Sequence, residues 1–212
     1  MMIVQKIEST DIFAANTYFY VDEKTKHGFI IDPCAGADVL INLIAQKGWT
    51  IEKMLFTHSH LDHIGAVLSL HEKLHIPFFG STASQQYLSD SLLQAHFTDF
   101  EVLKNMQFFK DGEKIALAAD SNIALKVIST PGHTLDSVIF YDKQNNIAFT
   151  GDTIFKNGVG RTDIQGSGGN ETMLMKSITE KILTLPEQTV LYPGHGESTT
   201  VLAEKRFFSV LF

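Results

Sequence analysis

Short apolar runs separated by polar turns dominate the first part of the chain. Ile3 to Ile7, Asn16 to Val21 and Phe29 to Ile31 favour strands, with Ser9-Thr10-Asp11 and the charged stretch Asp22 to Gly28 between them. That rhythm predicts an antiparallel meander, with His27 solvated in its turn. The period changes from Ala37 to Lys47, where Val39, Leu40, Leu43 and Ile44 recur at helical intervals and Gly48 supplies a stop. Ile51 to Phe56 reads as a buried strand, and the apolar run from Ile64 as a helix to about Leu74. Ile76 to Phe79 predicts another short strand, and Ser81 a cap for a helix through Tyr87 to about Leu93. The stretch from His96 to Asp111 has the least periodicity. Its Phe97, Phe100, Phe108 and Phe109 read as satellite core under a long loop, or else as the lining of a cleft. Strand patterns return at Glu113 to Leu117, Ala124 to Ser129, Val138 to Tyr141, Ile147 to Thr150 and Thr189 to Tyr192. Helices are expected from Glu171 to Leu183, capped from the Gly166–Asn170 loop, and from Val201 to Phe208. A meander followed by a helix occurs in each half. This predicts two packed sheets with helices outside, in a single domain over residues 1–212.

Composition narrows the class. With 44% hydrophobic and 19% charged residues, the 212-residue chain has the make-up of a soluble globular protein. A formal net charge of -7 argues against a nucleic-acid partner, which requires a basic face. An anionic small substrate remains compatible, because a metal or local basic groups can reverse the field inside a cleft. The single cysteine, Cys34, excludes an intramolecular disulfide and suits a reducing compartment. It reads as a small inert residue at a strand end. The amino-terminal residues lack a secretory pattern. No run of about 18 apolar residues predicts a membrane span. The expected address is the cytoplasm, without a membrane partner, and the pattern is silent on oligomeric state.

The chemistry is concentrated in Thr57-His58-Ser59-His60-Leu61-Asp62-His63, between a strand and a helix. Alternate side chains of an extended segment share a face, so His58 and His60 can converge on one point. A turn after Leu61 aims Asp62 and His63 at a second. Imidazole nitrogens with a carboxylate oxygen suit zinc or another borderline divalent ion. Three more strand ends each present one potential ligand: His133 after Pro131-Gly132, Asp152 after Gly151, and His195 after Pro193-Gly194. Each Pro-Gly pair forces a turn and lets the backbone approach the site. Any one of these residues alone reads as a core histidine or turn aspartate, but four strand ends with ligand residues together call for a metal.

The H-x-H-x-D-H run, both P-G-H turns and the G-D-T turn resemble the metallo-β-lactamase-fold hydrolases, and within them the short glyoxalase II-like enzymes. The resemblance implies an α/β fold, a four-layer αββα sandwich with a binuclear site on one edge. It implies that His58, His60 and His133 hold one ion, that Asp62, His63 and His195 hold the other, and that Asp152 bridges them. The ions would be zinc, with iron or manganese as alternatives. They would share a hydroxide that attacks a small acyl-thioester substrate such as S-lactoylglutathione. Asp62, beside that hydroxide, could take a proton as well as ligate. Thr134 and Thr153 are candidate donors behind the ligands. The loop from Phe155 to Asp163 resembles one that lies beside the metals in these enzymes, which places Arg161 at an anionic part of the substrate. Pairing with Asp163 is the competing account of that arginine. Only Ser198 to Phe212 follow the last ligand, in place of the helical extension of the long glyoxalases. A loose grip on glutathione and a permissive cleft are therefore expected. Two rivals stand beside this reading: a mononuclear iron persulfide dioxygenase using His58, His133 and Asp152, and a non-catalytic metal-binding module. An antibiotic-degrading lactamase ranks lower, given the absence of an export signal.

Overall fold

A computed structural model describes residues 1–10, 13–85 and 105–211. The first sheet begins with the expected meander, β1 (Met2–Glu8), β2 (Asn16–Asp22) and β3 (His27–Ile31), paired antiparallel in that order. Helix α1 (Ala37–Lys47) then crosses to β4 (Thr50–Leu55), which lies parallel to β3. Gly48 ends α1 in a left-handed conformation (φ 62°), its N–H returning to the carbonyls of Ala45 and Ile44. The strands β5 (Phe78–Ser81) and β6 (Gln107–Phe109) complete six strands in sequential order.

The second sheet contains β7 (Lys114–Ala116), β8 (Ala124–Ser129), β9 (Val138–Asp142), β10 (Ile147–Gly151), β13 (Val190–Pro193) and β14 (Thr199–Thr200). Between β10 and β13 the chain makes the small hairpin β11 (Ile154–Phe155) and β12 (Gly158–Val159), then helix α4 (Glu171–Ser177). Helix α5 (Val201–Leu211) closes the chain.

The alternation of side chains along these strands produces three apolar layers. Tyr18, Tyr20, Phe29 and Leu55 of the first sheet face Leu125, Val127, Phe140 and Phe149 of the second, forming the centre of the sandwich. The other face of the first sheet packs Phe19, Ile30 and Met54 against Leu40 and Ile44 of α1. The other face of the second sheet packs Ile139, Ala148 and Leu191 against Leu174, Ile178 and Phe208. The result is the α/β, αββα layering expected from the pattern.

Some elements differ from their sequence expectation for local reasons. The helix after the histidine run is two pieces, α2 (Leu61–Ile64) and α3 (Val67–Leu74). Its ladder is interrupted where the Ala66 N–H bonds to Pro33 O, in the loop after β3, instead of back along the helix. Helix α4 widens into a π-helical stretch, Ile178–Ile182, which buries both of its isoleucines. Ser81 ends β5, its hydroxyl accepting from the Ala83 N–H, and the helix expected beyond it falls largely outside the described residues. Phe109 is a central core residue and Phe108 is half-buried against the outer layer, so both are packing residues. Phe97 and Phe100 lie outside the described residues. His27 starts β3 and its Nδ1 lies 2.8 Å from Glu52 Oε1, so it is paired and not simply solvated. Among the described residues no helix is long and apolar enough to cross a membrane.

Candidate metal centre

Strand direction explains why the ligand-bearing turns meet. β8 and β10 are both antiparallel to β9, and β13 is parallel to β10, so β8, β10 and β13 all run the same way. Their carboxyl ends carry His133, Asp152 and His195 to one end of the sheet. The Val138 N–H bonds to Thr57 O (2.8 Å), which joins the carboxyl end of β4 to the same edge. His58 follows β4 in a bend, His60 is extended (φ -69°, ψ 144°), and α2 turns Asp62 and His63 inward.

All seven sequence-predicted donors converge. Nε2 of His58 and of His133 lie 3.1 and 3.0 Å from Nδ1 of His60. His195 Nε2 lies 3.4 Å from His63 Nε2 and 3.5 Å from Asp62 Oδ2. Asp152 stands between the groups: Oδ1 is 3.4 Å from His63 Nε2, and Oδ2 is 3.4 Å from His195 Nε2 and 3.6 Å from His133 Nε2. Tetrahedral ligands about 2.0–2.1 Å from one ion are separated from each other by about 3.3–3.4 Å. The observed separations scatter around that value.

Proton accounting supports the same conclusion. His133 Nδ1 is 2.6 Å from the Arg161 carbonyl, an acceptor, so that nitrogen donates and Nε2 presents its lone pair. The Thr57 hydroxyl gives its proton to Asp32 Oδ2 (2.7 Å), so it accepts from His58 Nδ1 and leaves the His58 Nε2 lone pair free. Two lone pairs therefore converge on His60 Nδ1, whose single proton could satisfy only one of them well. His60 Nε2 and Asp152 Oδ1 are buried without a hydrogen-bond partner. An ion at His60 Nδ1 resolves that conflict and puts the ring proton on Nε2, and Asp152 Oδ1, unpartnered among the described residues, is satisfied if Asp152 is a ligand. The donor set thus fits divalent ions, with His58, His60 and His133 able to hold one and Asp62, His63 and His195 another.

The two halves differ electrostatically. Burial, then the neighbouring imidazoles, hold His58 well below the usual histidine range and His60 down at about 4. Burial also acts to lower His63 and His195, but carboxylates outweigh it. Asp152 and Asp32 raise His63 well above its ordinary value, and Asp152 and Asp62 lift His195 to about 10. Burial disfavours the Asp152 anion, yet His63 and His195 bring it well below the usual carboxylate range. Asp62 is lowered for the same kind of reason, with His195 and His63 outweighing its burial.

The residues behind the donors were mostly hidden in the sequence. Asp32, buried, accepts from the Thr57 N–H (2.8 Å), the Thr57 hydroxyl (2.7 Å) and His63 Nδ1 (3.0 Å). The available signal was an aspartate ending an apolar strand beside a proline. Asp136 accepts the hydroxyls of Ser59 (2.6 Å), Ser84 (2.7 Å) and Thr134 (2.7 Å), tying the His58–His60 segment to the His133 turn. Asn16 Nδ2 donates to the carbonyls of Pro193 and Gly196, both at 3.0 Å, and so fastens the His195 turn to β2. Thr134 and Thr153 do not back the ligands directly. Thr134 serves Asp136 and Ser137, and Thr153 pairs with Thr130 at 2.9 Å. The two Pro-Gly turns also separate in role. A Cβ on Gly194 would lie 2.1 Å from Asp152 Oδ1, so that glycine admits the backbone to the site. A Cβ on Gly132 (φ 143°) would meet the Leu174 backbone at 2.3 Å, so that glycine serves the packing of α4.

The donors open into a cleft of about 430 Å³, walled by Phe13, Leu61, Phe155 and Ile164, with Arg161 at its side. Arg161 is exposed and paired with Asp163, Nε to Oδ1 at 2.9 Å and Nη2 to Oδ2 at 3.2 Å. Cys34 takes no part. It is buried against the Thr17 hydroxyl, and burial pushes its thiol up to about 11.

Residues 10–195 match the family described as the Metallo-beta-lactamase superfamily. The chain is 34% identical over 188 residues to the hydroxyacylglutathione hydrolase GloC of Haemophilus influenzae, a match covering 85% of each protein. Among solved structures it is similar to the BLEG-1 B3 metallo-beta-lactamase, with a TM-score of 0.83 and 29% identity over 96% of this chain and 97% of that one. It is also similar to TTHA1623 in a di-iron-bound form, with a TM-score of 0.79 and 26% identity over 96% and 98% of the two chains.

Proposed function

The chain belongs to the metallo-beta-lactamase superfamily, and from that premise we propose that it is a binuclear metal-dependent hydrolase of acyl thioesters. The observation that carries the reading is the pair of donor sets meeting at Asp152 on the floor of one cleft. His58, His60 and His133 would hold one ion and Asp62, His63 and His195 the other, and the Asp152 carboxylate lies within 3.6 Å of His133, His63 and His195. Zinc fits these donors, and iron and manganese are the alternatives. Bound there, two ions would supply Lewis acidity and a water whose pKa is lowered towards neutrality.

The remaining chemistry falls to the chain itself. Asp62, lining the cleft and partly exposed, is placed to take a proton during the attack. Among the described residues lining the cleft there is no Ser, Thr or Cys, and the Cys34 thiol is buried and protonated. Beyond the proposed ligands, Arg161 is the only ionisable group lining the cleft among the described residues. Those residues offer no spare acid for a leaving group. A thiolate needs little protonation on departure, whereas an amine or alkoxide needs it, and this favours thioesters. The similarity to a hydroxyacylglutathione hydrolase supports the same class. Arg161, released from Asp163, meets an anionic part of the substrate, while Phe13, Leu61, Phe155 and Ile164 cover its apolar part.

A substrate panel tests the reading. Turnover of S-lactoylglutathione and other acyl thioesters is expected, with none of a β-lactam and no oxygen uptake with glutathione persulfide. Preference for the lactam would overturn the thioester assignment. Oxygen consumption by a protein holding one iron would favour the dioxygenase instead.

A further inference from the structure

A larger groove, about 660 Å³, lies on the outer face of the second sheet and contains none of the metal-centre residues. It opens beside Leu185, where the chain leaves the π-helical stretch and the helical cover of the sheet ends. Strand register places three of its side chains in one row, since Lys114 faces Lys126 across β7 and β8, and Lys126 faces Tyr141 across β8 and β9. Lys143, from the turn after β9, adds a third cation. Like charges directly opposite on one sheet face destabilise the pairing. In a chain with a net charge of -7 that cost is not imposed by an excess of lysines.

Among the described residues no carboxylate is ion-paired with the row. None of the three lysines has an ion-pair or hydrogen-bond partner among the described residues. The one acid lining the groove, Asp142, is already engaged by the Tyr20 hydroxyl (2.6 Å), the N–H groups of Gln144 (2.8 Å) and Asn145 (3.1 Å), and Asn145 Nδ2 (2.8 Å). Beside the cations, Tyr141, Ile128 and Leu185 form an apolar floor. The volume falls within the roughly 300–1,000 Å³ of small-molecule sites.

We propose that this groove is a second binding site, for a phosphorylated small molecule with a planar apolar portion, of the nucleotide class. Lys114, Lys126 and Lys143 receive the phosphates, and Tyr141 with Ile128 and Leu185 receives the ring. A bound phosphate also relieves the repulsion between Lys114 and Lys126. The proposal does not rest on the thioester reading and stands or falls separately from it.

Calorimetric titration of the metal-loaded protein with ADP tests it, with inorganic pyrophosphate as the comparison. One saturable ADP site is expected, tighter than that for pyrophosphate. Lys126→Ala and Lys143→Ala should each weaken it by about tenfold, the usual consequence of losing a charged hydrogen bond. Both lysines are exposed, so the variants should keep their fold. Lys126→Ala, which removes a like-charge neighbour, should not lower Tm. ADP bound at the metal ions would survive both substitutions, and unchanged binding in the two variants overturns the proposal. So does a failure to saturate at millimolar ADP, or pyrophosphate binding as tightly as ADP.

Discussion

Replacing Asp32 by Asn tests how the second ion is held. Asp32 touches no cleft atom, yet its carboxylate fixes the proton of His63 on Nδ1, 3.0 Å away, and so leaves Nε2 for the ion. Asn keeps the shape and tolerates the left-handed backbone at this position (φ 50°). Its oxygen can still accept from the Thr57 N–H, as Oδ1 does now at 2.8 Å. The amide NH2 must then take the place of Oδ2, which at present accepts from both Thr57 Oγ1 and His63 Nδ1. The threonine hydroxyl can rotate to accept. The His63 Nδ1–H cannot, and it faces another donor in a buried site. The relaxed state moves the His63 proton to Nε2, the nitrogen the ion needs. Losing such a partner typically costs 10–100-fold in metal affinity, or about 1.4–2.7 kcal/mol. Competition with a chromophoric chelator should show one of two ions weakened by that factor in Asp32→Asn, and the other, which Asp32 reaches only through the Thr57 hydroxyl and His58, weakened less. Retention of both ions at wild-type affinity would refute the idea that Asp32 sets the His63 tautomer.

Two further outcomes follow from the cleft. Arg161→Ala should raise KM by about fivefold and leave kcat nearly unchanged, since an exposed, ion-paired arginine contributes only modest binding; an equal fall in kcat would place it in the transition state instead. His63 is raised well above its ordinary value and His195 to about 10, so without an ion both carry a proton at neutral pH, while His58 and His60 are already neutral. Ions taking the Asp62-His63-His195 group must displace those protons, so binding there should strengthen as pH rises and its calorimetric heat should depend on the buffer. Heats independent of the buffer for every ion bound would contradict this.

Much of the site was legible because its chemistry depends on residue type and on punctuation. Histidines and aspartates at four strand ends, two of them behind Pro-Gly, make little sense without a metal to hold, and the structure brings all of them to one edge. The strands were legible because alternation marks which face is buried, as in β8, where Leu125 and Val127 face the core and Lys126 faces out. What stayed hidden depends on pairing across long sequence separations. Asp32 meets His63 and Asp136 meets Ser59 only after the sheets assemble, and a lone aspartate has no local signature. Asn16 looked like the start of a strand and nothing more, yet its amide reaches residues 177 and 180 positions away. The break between α2 and α3 was invisible for the same reason, because the carbonyl that captures the Ala66 N–H belongs to Pro33. Arg161 was found for its side chain, but its clearest contact is through its backbone, whose carbonyl orients His133.

The central claim is that two donor groups sharing Asp152 hold two ions. Elemental analysis of protein reconstituted with excess zinc and then freed of unbound metal tests it most directly. A plateau at two ions per chain is expected, falling in Asp152→Ala together with thioester turnover. A plateau at one ion, or two ions and full turnover retained without Asp152, would contradict it.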